Sequence, residues 1–385
     1  KLIFFGKKPE TELADAKYDG KINPLDYIQI KLIIVGKEKE LTIIDCIERI
    51  VTVKKPVNRV VILEPIITEV IKAIGAKDKV VGIYTTSSMW GGEVFFPELS
   101  KLPHVGSYRN PDCEAILELE PDIVIQYSTR APGFEDKLKP AGITVVRVDP
   151  GAAVHGNLMA REWKKLGHIL DKKDEAKELI DWYEGYLDEI KSRTEGLSDE
   201  DKQHVYAAFS FLSGLDMILG KECYLGYACT LAGGFNIAGD VGYGTTVDPE
   251  WVIAQNPDFI VLTTPTGEAA GSYEVDDPTK MKEFRERFMN RPGLEGVNAV
   301  NDGRVNMVAF QMVGGPHLLF TTAYFAKWFY PDLFEDLDPE AIHQEYLDRF
   351  QGLDYDLDEH GVFAYPPIES DDGLAGIPDK YKELI

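Results

Sequence analysis

The stretch DAKYDGKINPLD places oxygen-bearing side chains at its first, fifth, ninth and twelfth positions: Asp15, Asp19, Asn23 and Asp26. A hard cation such as Ca2+ takes about six to eight oxygen ligands, and a loop of this length with glycine at its sixth position can fold around one. Gly20 holds that position. Lys17 stands third, where an ammonium cannot coordinate a cation, and Asp26 is shorter than the glutamate that closes such loops with both oxygens. The spacing therefore predicts a weak calcium loop or a decayed one.

A second set of residues suits binding rather than bond breaking. Tyr84, Trp90, Tyr108, Tyr127, Tyr243 and Phe310 lie in or beside turn-rich segments, and Gln311 follows the last of them. Aromatic faces of this kind suit a flat macrocycle or chelate. Arg109 and Arg130 stand out in so acidic a chain, and each offers a planar fork for carboxylates or other anionic oxygens. The plainer alternatives stay open: loop tyrosines can face core or solvent, and an arginine beside Asn-Pro-Asp can pair with a neighbouring acid. His104, His155 and His317 form no spaced pair, so a His–carboxylate metal centre is not expected. No nucleophile elbow, phosphate loop or HExxH motif occurs. The glycines of LAGGFNIAGDVGYG read as a helix stop and a rim, not a dinucleotide fingerprint.

The chain has 385 residues, 44% of them hydrophobic and 28% charged, with a net charge of -24. Its length exceeds what a single core usually organises. Its charge repels phosphate backbones and anionic lipid, so nucleic-acid binding is not expected. No apolar run of about 18 residues occurs, and no signal peptide is visible. The opening KLIFFGKKPE reads like the end of a helix, which suggests a processed or truncated product. Cys46, Cys113, Cys223 and Cys229 match no zinc spacing; Cys223 and Cys229 pair locally, or all four are free thiols.

The elements that would position these residues follow two grammars. LTIID and RIVTV, split by a short polar turn, predict a β-hairpin. From Arg59 onward, apolar strands (RVVIL, KVVGI, DIVIQ, ITVVRV) alternate with helical stretches such as PIITEVIKAIGA, which predicts a parallel sheet covered by helices. A helical region runs from Leu158 to about Thr194 with a break near DKKD. The strand–helix alternation then resumes with HVYAAFS, DFIVLTT and RVNMVA as strands. The predicted organisation is a helical and β-hairpin extension over 1–57, an α/β lobe over 58–150, linking helices over 151–202, a second α/β lobe over 203–330, and an acidic tail over 331–385. The tail is expected to pack as helices with a loose end.

One sentence is written twice. EAILELEPDIVI begins at Glu114 and EWVIAQNPDFIV at Glu250. Each has a glutamate, a helical turn, Pro-Asp, then a buried strand. Pro-Asp is explained as a device that stops a helix and turns the chain into a strand. A glutamate favours a helix N-terminus, but that does not require the same spacing in both copies.

Together with RVVILEPIITEVIKAIGAKDKVVGIYT, VGSYRNPDCEAILELEPDIVIQY and TTVDPEWVIAQNPDFIVL, this order of motifs resembles the substrate-binding proteins of ABC importers that serve ferric siderophores, haem, cobalamin and some metal species. The resemblance covers about 58–330. It implies two Rossmann-like lobes joined by a single long α-helix, a ligand cleft lined by loops from the carboxyl ends of the strands, and no enzymatic activity. It implies as partners a permease with its ATPase, met by one glutamate on each lobe, Glu114 and Glu250. It implies a monomer working outside the cytoplasm, tethered by elements not in this sequence. The expected ligand is a ferric siderophore or a corrinoid- or haem-like chelate, held by Tyr84, Trp90, Tyr108, Arg109, Tyr127, Arg130, Tyr243, Phe310 and Gln311. A small metal oxyanion, or a surface scaffold role, are the alternatives. No cofactor is required beyond possible Ca2+. The segment from Asp15 to Asp26, with KLIFFGKKPE and KLIIVGKEKE as near copies on either side, resembles a partial dockerin module.

Overall fold

The computed structural model describes residues 16, 24–84, 92–127, 131–149, 158–209, 216–220, 223–239, 241, 245–265, 270–369 and 373–384. In chain order its main elements are α1 (Pro24–Ile34), β1 (Glu40–Ile44), β2 (Ile50–Lys54), β3 (Val60–Ile62), α2 (Pro65–Ala73), β4 (Val80–Ile83), α3 (Gly92–Phe95), α4 (Cys113–Glu118), β5 (Ile123–Tyr127), α5 (Glu135–Leu138), β6 (Thr144–Val148), α6 (Leu158–Leu170) and α7 (Lys173–Thr194). There follow β7 (His204–Phe209), β8 (Asp216–Ile218), α8 (Tyr224–Leu231), β9 (Phe235–Asn236), β10 (Thr246–Val247), α9 (Pro249–Gln255), β11 (Phe259–Thr263), α10 (Thr279–Met289), α11 (Asn298–Asn301), β12 (Val305–Val308), α12 (His317–Phe329), α13 (Pro339–Tyr346) and β13 (Ala364–Tyr365). The chain divides into two compact lobes. The first holds 1–85, 102–150 and 161–177; the second holds 86–101, 151–160 and 178–385. Helix α7 begins in the first and continues in the second.

The first lobe is a four-stranded sheet in the order β4-β3-β5-β6, parallel throughout. Its strands are continuous apolar runs because both faces are covered: Val60, Val61, Ile62, Val124 and Ile125 are all fully buried. Helix α2 starts on the Glu64 carboxylate, which accepts the Ile67 amide at 2.9 Å, with Pro65 in the first turn. The β1–β2 hairpin joins this lobe through its turn. Asp45 accepts the amides of Ile47 and Arg49, the Cys46 amide donates to the Arg147 carbonyl, and Arg49 and Arg147 share the Glu135 carboxylate. The break expected near DKKD falls at Asp171, whose φ is +61. There the buried Lys55 ammonium donates to the carbonyls of His168 and Ile169 and pairs with Asp171 at 2.7 Å, so it caps α6 where the helix leaves carbonyls unpaired.

The second lobe is built on β10-β8-β7-β11-β12-β13, with β9 alongside β7. Strands β7, β11 and β12 are parallel; β8, β10 and β13 run against their neighbours. The acidic tail, expected as helices with a loose end, contributes α13 and then an edge strand. Val362, Phe363, Ala364 and Tyr365 are an apolar run, all buried, and β13 pairs with β12. All four cysteines are free, which corrects the local pairing considered for Cys223 and Cys229. Cys223 is the N-cap of α8 and Cys229 lies within it. Six residues of helix rise about 9 Å, beyond the reach of about 7 Å that a disulfide tolerates. Among the described residues no helix is long and apolar enough to cross a membrane.

Candidate functional site

In a parallel sheet every strand delivers its carboxyl end to the same edge, and ligands gather where the strand order reverses. In the first lobe the chain passes from β3 to β4 on one side and returns to β5 on the other, so the reversal lies between β3 and β5. Tyr127 ends β5 at this point. The segment Gly106–Pro111 arrives beside it as a closed turn. Ser107 and Asn110 exchange backbone hydrogen bonds at 3.1 Å, and Gly106 pairs with Pro111. Gly106 has φ +85, and a Cβ there would lie 2.3 Å from the Asn110 carbonyl oxygen, so only glycine fits.

That turn carries Tyr108 and Arg109. Gln126, fully buried in β5, fixes it: its Nε2 donates to the Tyr108 carbonyl at 3.0 Å, and its Oε1 accepts the Tyr127 amide at 2.8 Å. The Tyr108 and Tyr127 rings lie 6.0 Å apart at 74°, edge to face, and the Arg109 guanidinium stands 5.4 Å from the Tyr108 ring. Both rings are half-buried and Arg109 is exposed. The structure thus brings three of the expected ligand residues into one aromatic–cationic surface. The sequence reading missed Gln126, whose signal was a polar residue ending the apolar run DIVI.

Tyr84 is not part of that surface. It is 4% exposed, and burial, with Glu64 and Glu69 nearby, pushes its hydroxyl well above the ordinary tyrosine value. Glu64 itself is raised to about 8, chiefly by burial and then by Asp149 and Glu69; the Ile67 amide opposes the rise.

In the second lobe Phe209 ends β7, and Phe310 and Gln311 follow β12. The Phe209 and Phe310 rings are 5.7 Å apart. Thr264, just past β11, accepts the Phe310 amide on its hydroxyl at 3.0 Å and so fixes the turn. Gln311 is 4% exposed, and its Oε1 has no hydrogen-bond partner among the described residues. Phe209 was not foreseen as a contributor, being simply the last residue of an apolar strand run; Thr264 lies in the loop TTPTG, expected to line the cleft, but was not singled out. Trp90, Arg130 and Tyr243 lie outside the described residues, as do Asp15, Asp19 and Asn23. Asp26 is in α1 and is 1% exposed. Among the described residues no group of three or more His, Cys, Asp or Glu is placed to hold a metal ion.

The repeated sentence has one structural half and one exposed half. Asp122 accepts the Asn58 and Arg59 amides at 2.7 and 2.8 Å, and Asp258 accepts the His204 amide at 2.9 Å. Each Pro-Asp aspartate therefore ties the entry of a central strand to the start of its neighbour. Each glutamate stands two residues after a capping aspartate: Asp112 takes the Glu114 and Ala115 amides, and Asp248 takes the Trp251 amide. Glu114 and Glu250 are both exposed, and among the described residues neither carboxylate has a hydrogen bond or ion pair.

Comparison with known proteins fits this architecture. Residues 60–309 match the family described as Periplasmic binding protein. An uncharacterized ABC transporter substrate-binding lipoprotein of Bacillus subtilis is 26% identical over 329 residues, 84% of this chain and 96% of its own. A cobalamin-binding protein of Halobacterium salinarum is 26% identical over 55% of each chain. The molybdate-bound molybdate-binding protein of Haemophilus influenzae has a similar fold, with a TM-score of 0.67 at 20% identity over 82% of this chain and 99% of that one. With more than half of its length matched, the chain belongs to the periplasmic binding protein family, as a solute-binding component and not an enzyme.

Proposed function

We propose that this protein is the receptor of an ABC importer, that it works outside the cytoplasm, and that its solute is an anionic metal complex with a flat conjugated face, of the corrinoid, haem or ferric-chelate kind. The observation that carries this reading is the Tyr108–Tyr127–Arg109 surface at the strand reversal of the first lobe. Two rings edge to face suit a flat apolar body, and a guanidinium beside them suits a peripheral carboxylate. The cobalamin-binding relative supports the same class. Phe209 and Phe310 form a separate aromatic pair within the second lobe.

A bare oxyanion is the second reading, favoured by the more complete likeness to the molybdate-binding protein. The exposed Arg109 would serve either. A thermal-shift panel of a corrinoid, haem, a ferric chelate and molybdate separates them. Ligand at about a hundredfold over Kd stabilises by about 2.7 kcal/mol. A shift with the flat complexes alone, weakened more than about tenfold in Arg109→Ala, supports the first reading. A shift with molybdate alone overturns it.

A further inference from the structure

The second lobe buries a polar relay of one tyrosine and two histidines. Tyr273 is 2% exposed, His317 3% and His343 not at all. The Tyr273 hydroxyl lies 3.0 Å from His317 Nε2 and 2.5 Å from His343 Nε2. A hydroxyl has one proton to give, so one imidazole must accept it and the other must donate an N–H to the oxygen. His343 Nδ1 is buried with no hydrogen-bond partner among the described residues. A buried N–H left unpaired is costlier than an unpaired lone pair. The pattern therefore assigns the Nε2–H tautomer to His343, donating to Tyr273, with Tyr273 donating to His317 Nε2.

The relay stands where several segments meet. His317 opens α12, directly after the turn that carries Phe310 and Gln311. Thr321, one turn into α12, donates to the Met312 carbonyl of that turn at 2.6 Å. His343 stacks on Phe320 at 4.3 Å and lies 4.9 Å from Phe363, whose carbonyl accepts the Ala309 amide. The Tyr273 ring also meets Phe95 at 4.7 Å, and its carbonyl accepts the Tyr355 hydroxyl.

We propose that the Tyr273–His317–His343 relay is an acid-sensitive latch: with His343 neutral it holds the Phe310–Val313 turn against α12 and α13, and a proton on His343 releases it. A proton on His343 would place an N–H at Nδ1 with no acceptor among the described residues. Among the described residues the nearby carboxylates already have partners. On α13, Glu345 takes the Tyr186 hydroxyl and Arg349, and Glu340 takes the Gly376 amide. On the Tyr273 loop, Glu274 takes the amide of Glu93 in α3, and Asp276 takes His360 and the Gly361 amide. On α7, Glu178 pairs with Arg349; on α12, Lys327 is bound to the carbonyls of Phe334 and Glu335. The segment 362–365 carries no acid or base beyond Tyr365. Burial, and then His317, hold His343 well below the ordinary histidine value of 6.5. The unfolded chain therefore binds a proton that the folded lobe refuses, and stability falls as pH drops below about 6.5.

That the latch governs solute contact rests on the function proposed above; the latch itself is tested without solute. Long-range 1H–15N spectra of the intact protein should keep His343 as the neutral Nε2–H tautomer well below pH 6.5. Urea unfolding between pH 7.5 and 5 should show His343→Phe, which keeps a ring on Phe320, losing up to about a tenfold fall in folding equilibrium per pH unit that the unaltered protein shows. Amide exchange at 310–315, corrected for intrinsic rates, should accelerate in acid in the unaltered protein. Protonation of His343 near pH 6.5, or an unchanged pH slope in the variant, overturns the latch. If these hold but solute affinity is flat with pH, the latch stands and the solute contact assigned to the turn fails.

Discussion

The exposed pair Glu114 and Glu250 gives the sharpest test of the receptor reading. Because neither carboxylate has a partner among the described residues, replacing either by glutamine breaks nothing in the free protein beyond a helix-end charge effect of about 0.3–1 kcal/mol. If each meets an arginine on a permease, the complex loses one charge-assisted hydrogen bond, worth about 1.5–3 kcal/mol. That predicts a loss of about tenfold to about 150-fold in docking for each single variant. The two residues belong to different lobes and share no partner, so the losses should add and the double variant should lose at least about a hundredfold. The assay is binding of solute-loaded receptor to permease–ATPase in lipid nanodiscs at two salt concentrations. Solute affinity should stay within about twofold, since neither side chain is in the aromatic surfaces, and salt should weaken the unaltered protein more than the double variant. Glu118→Gln, an exposed acid on the same helix as Glu114, is the control and should change nothing. A double variant that docks within about threefold of the unaltered protein refutes the reasoning.

Glu135→Gln should destabilise by roughly 2–4 kcal/mol in urea. It leaves the Arg147 guanidinium, with its side chain 2% exposed, without its closest carboxylate, though Glu135 at 19% is not fully dry and the cost falls short of a fully buried pair. Burial opposes ionisation of Glu135, but Arg147 and Arg49 outweigh it and lower its folded value below 4.5; its contribution is present above that value and should disappear as pH falls through the lowered one. Asp122→Ala should cost about 1–2 kcal/mol and Asp258→Ala about 1, since the first orphans two strand-entry amides and the second one; the reverse order in calorimetry would discredit the assignment. Calorimetry with Ca2+ should show no tight site at Asp15, Asp19, Asn23 and Asp26, because Lys17 occupies a ligand position; stoichiometric binding lost in Asp15→Ala would reverse that conclusion.

The sequence by itself determined those elements whose signal lies in neighbours along the chain. Val60–Ile62 and Phe259–Thr263 are mostly apolar and rich in β-branched residues, so they are strands; Asp112 and Asp248 precede short helices and cap them; Asp171 and its lysines mark the break between α6 and α7. The repeat of Glu114 and Glu250 was legible for the same reason, since equal spacing gives equal local structure. Tertiary structure alone decided which loops share a surface. Tyr108 and Tyr127 meet because β5 lies beside β3 and because Gln126 reaches back to the Tyr108 carbonyl. Strands buried on both faces all read as the same apolar run, so their order leaves no mark on the hydrophobic pattern. That is also why Tyr84 looked like a loop aromatic and is interior, and why the 362–365 run looked like a tail and is a sheet edge. Burial and partner choice are properties of the packed sheet, which no window of the chain contains.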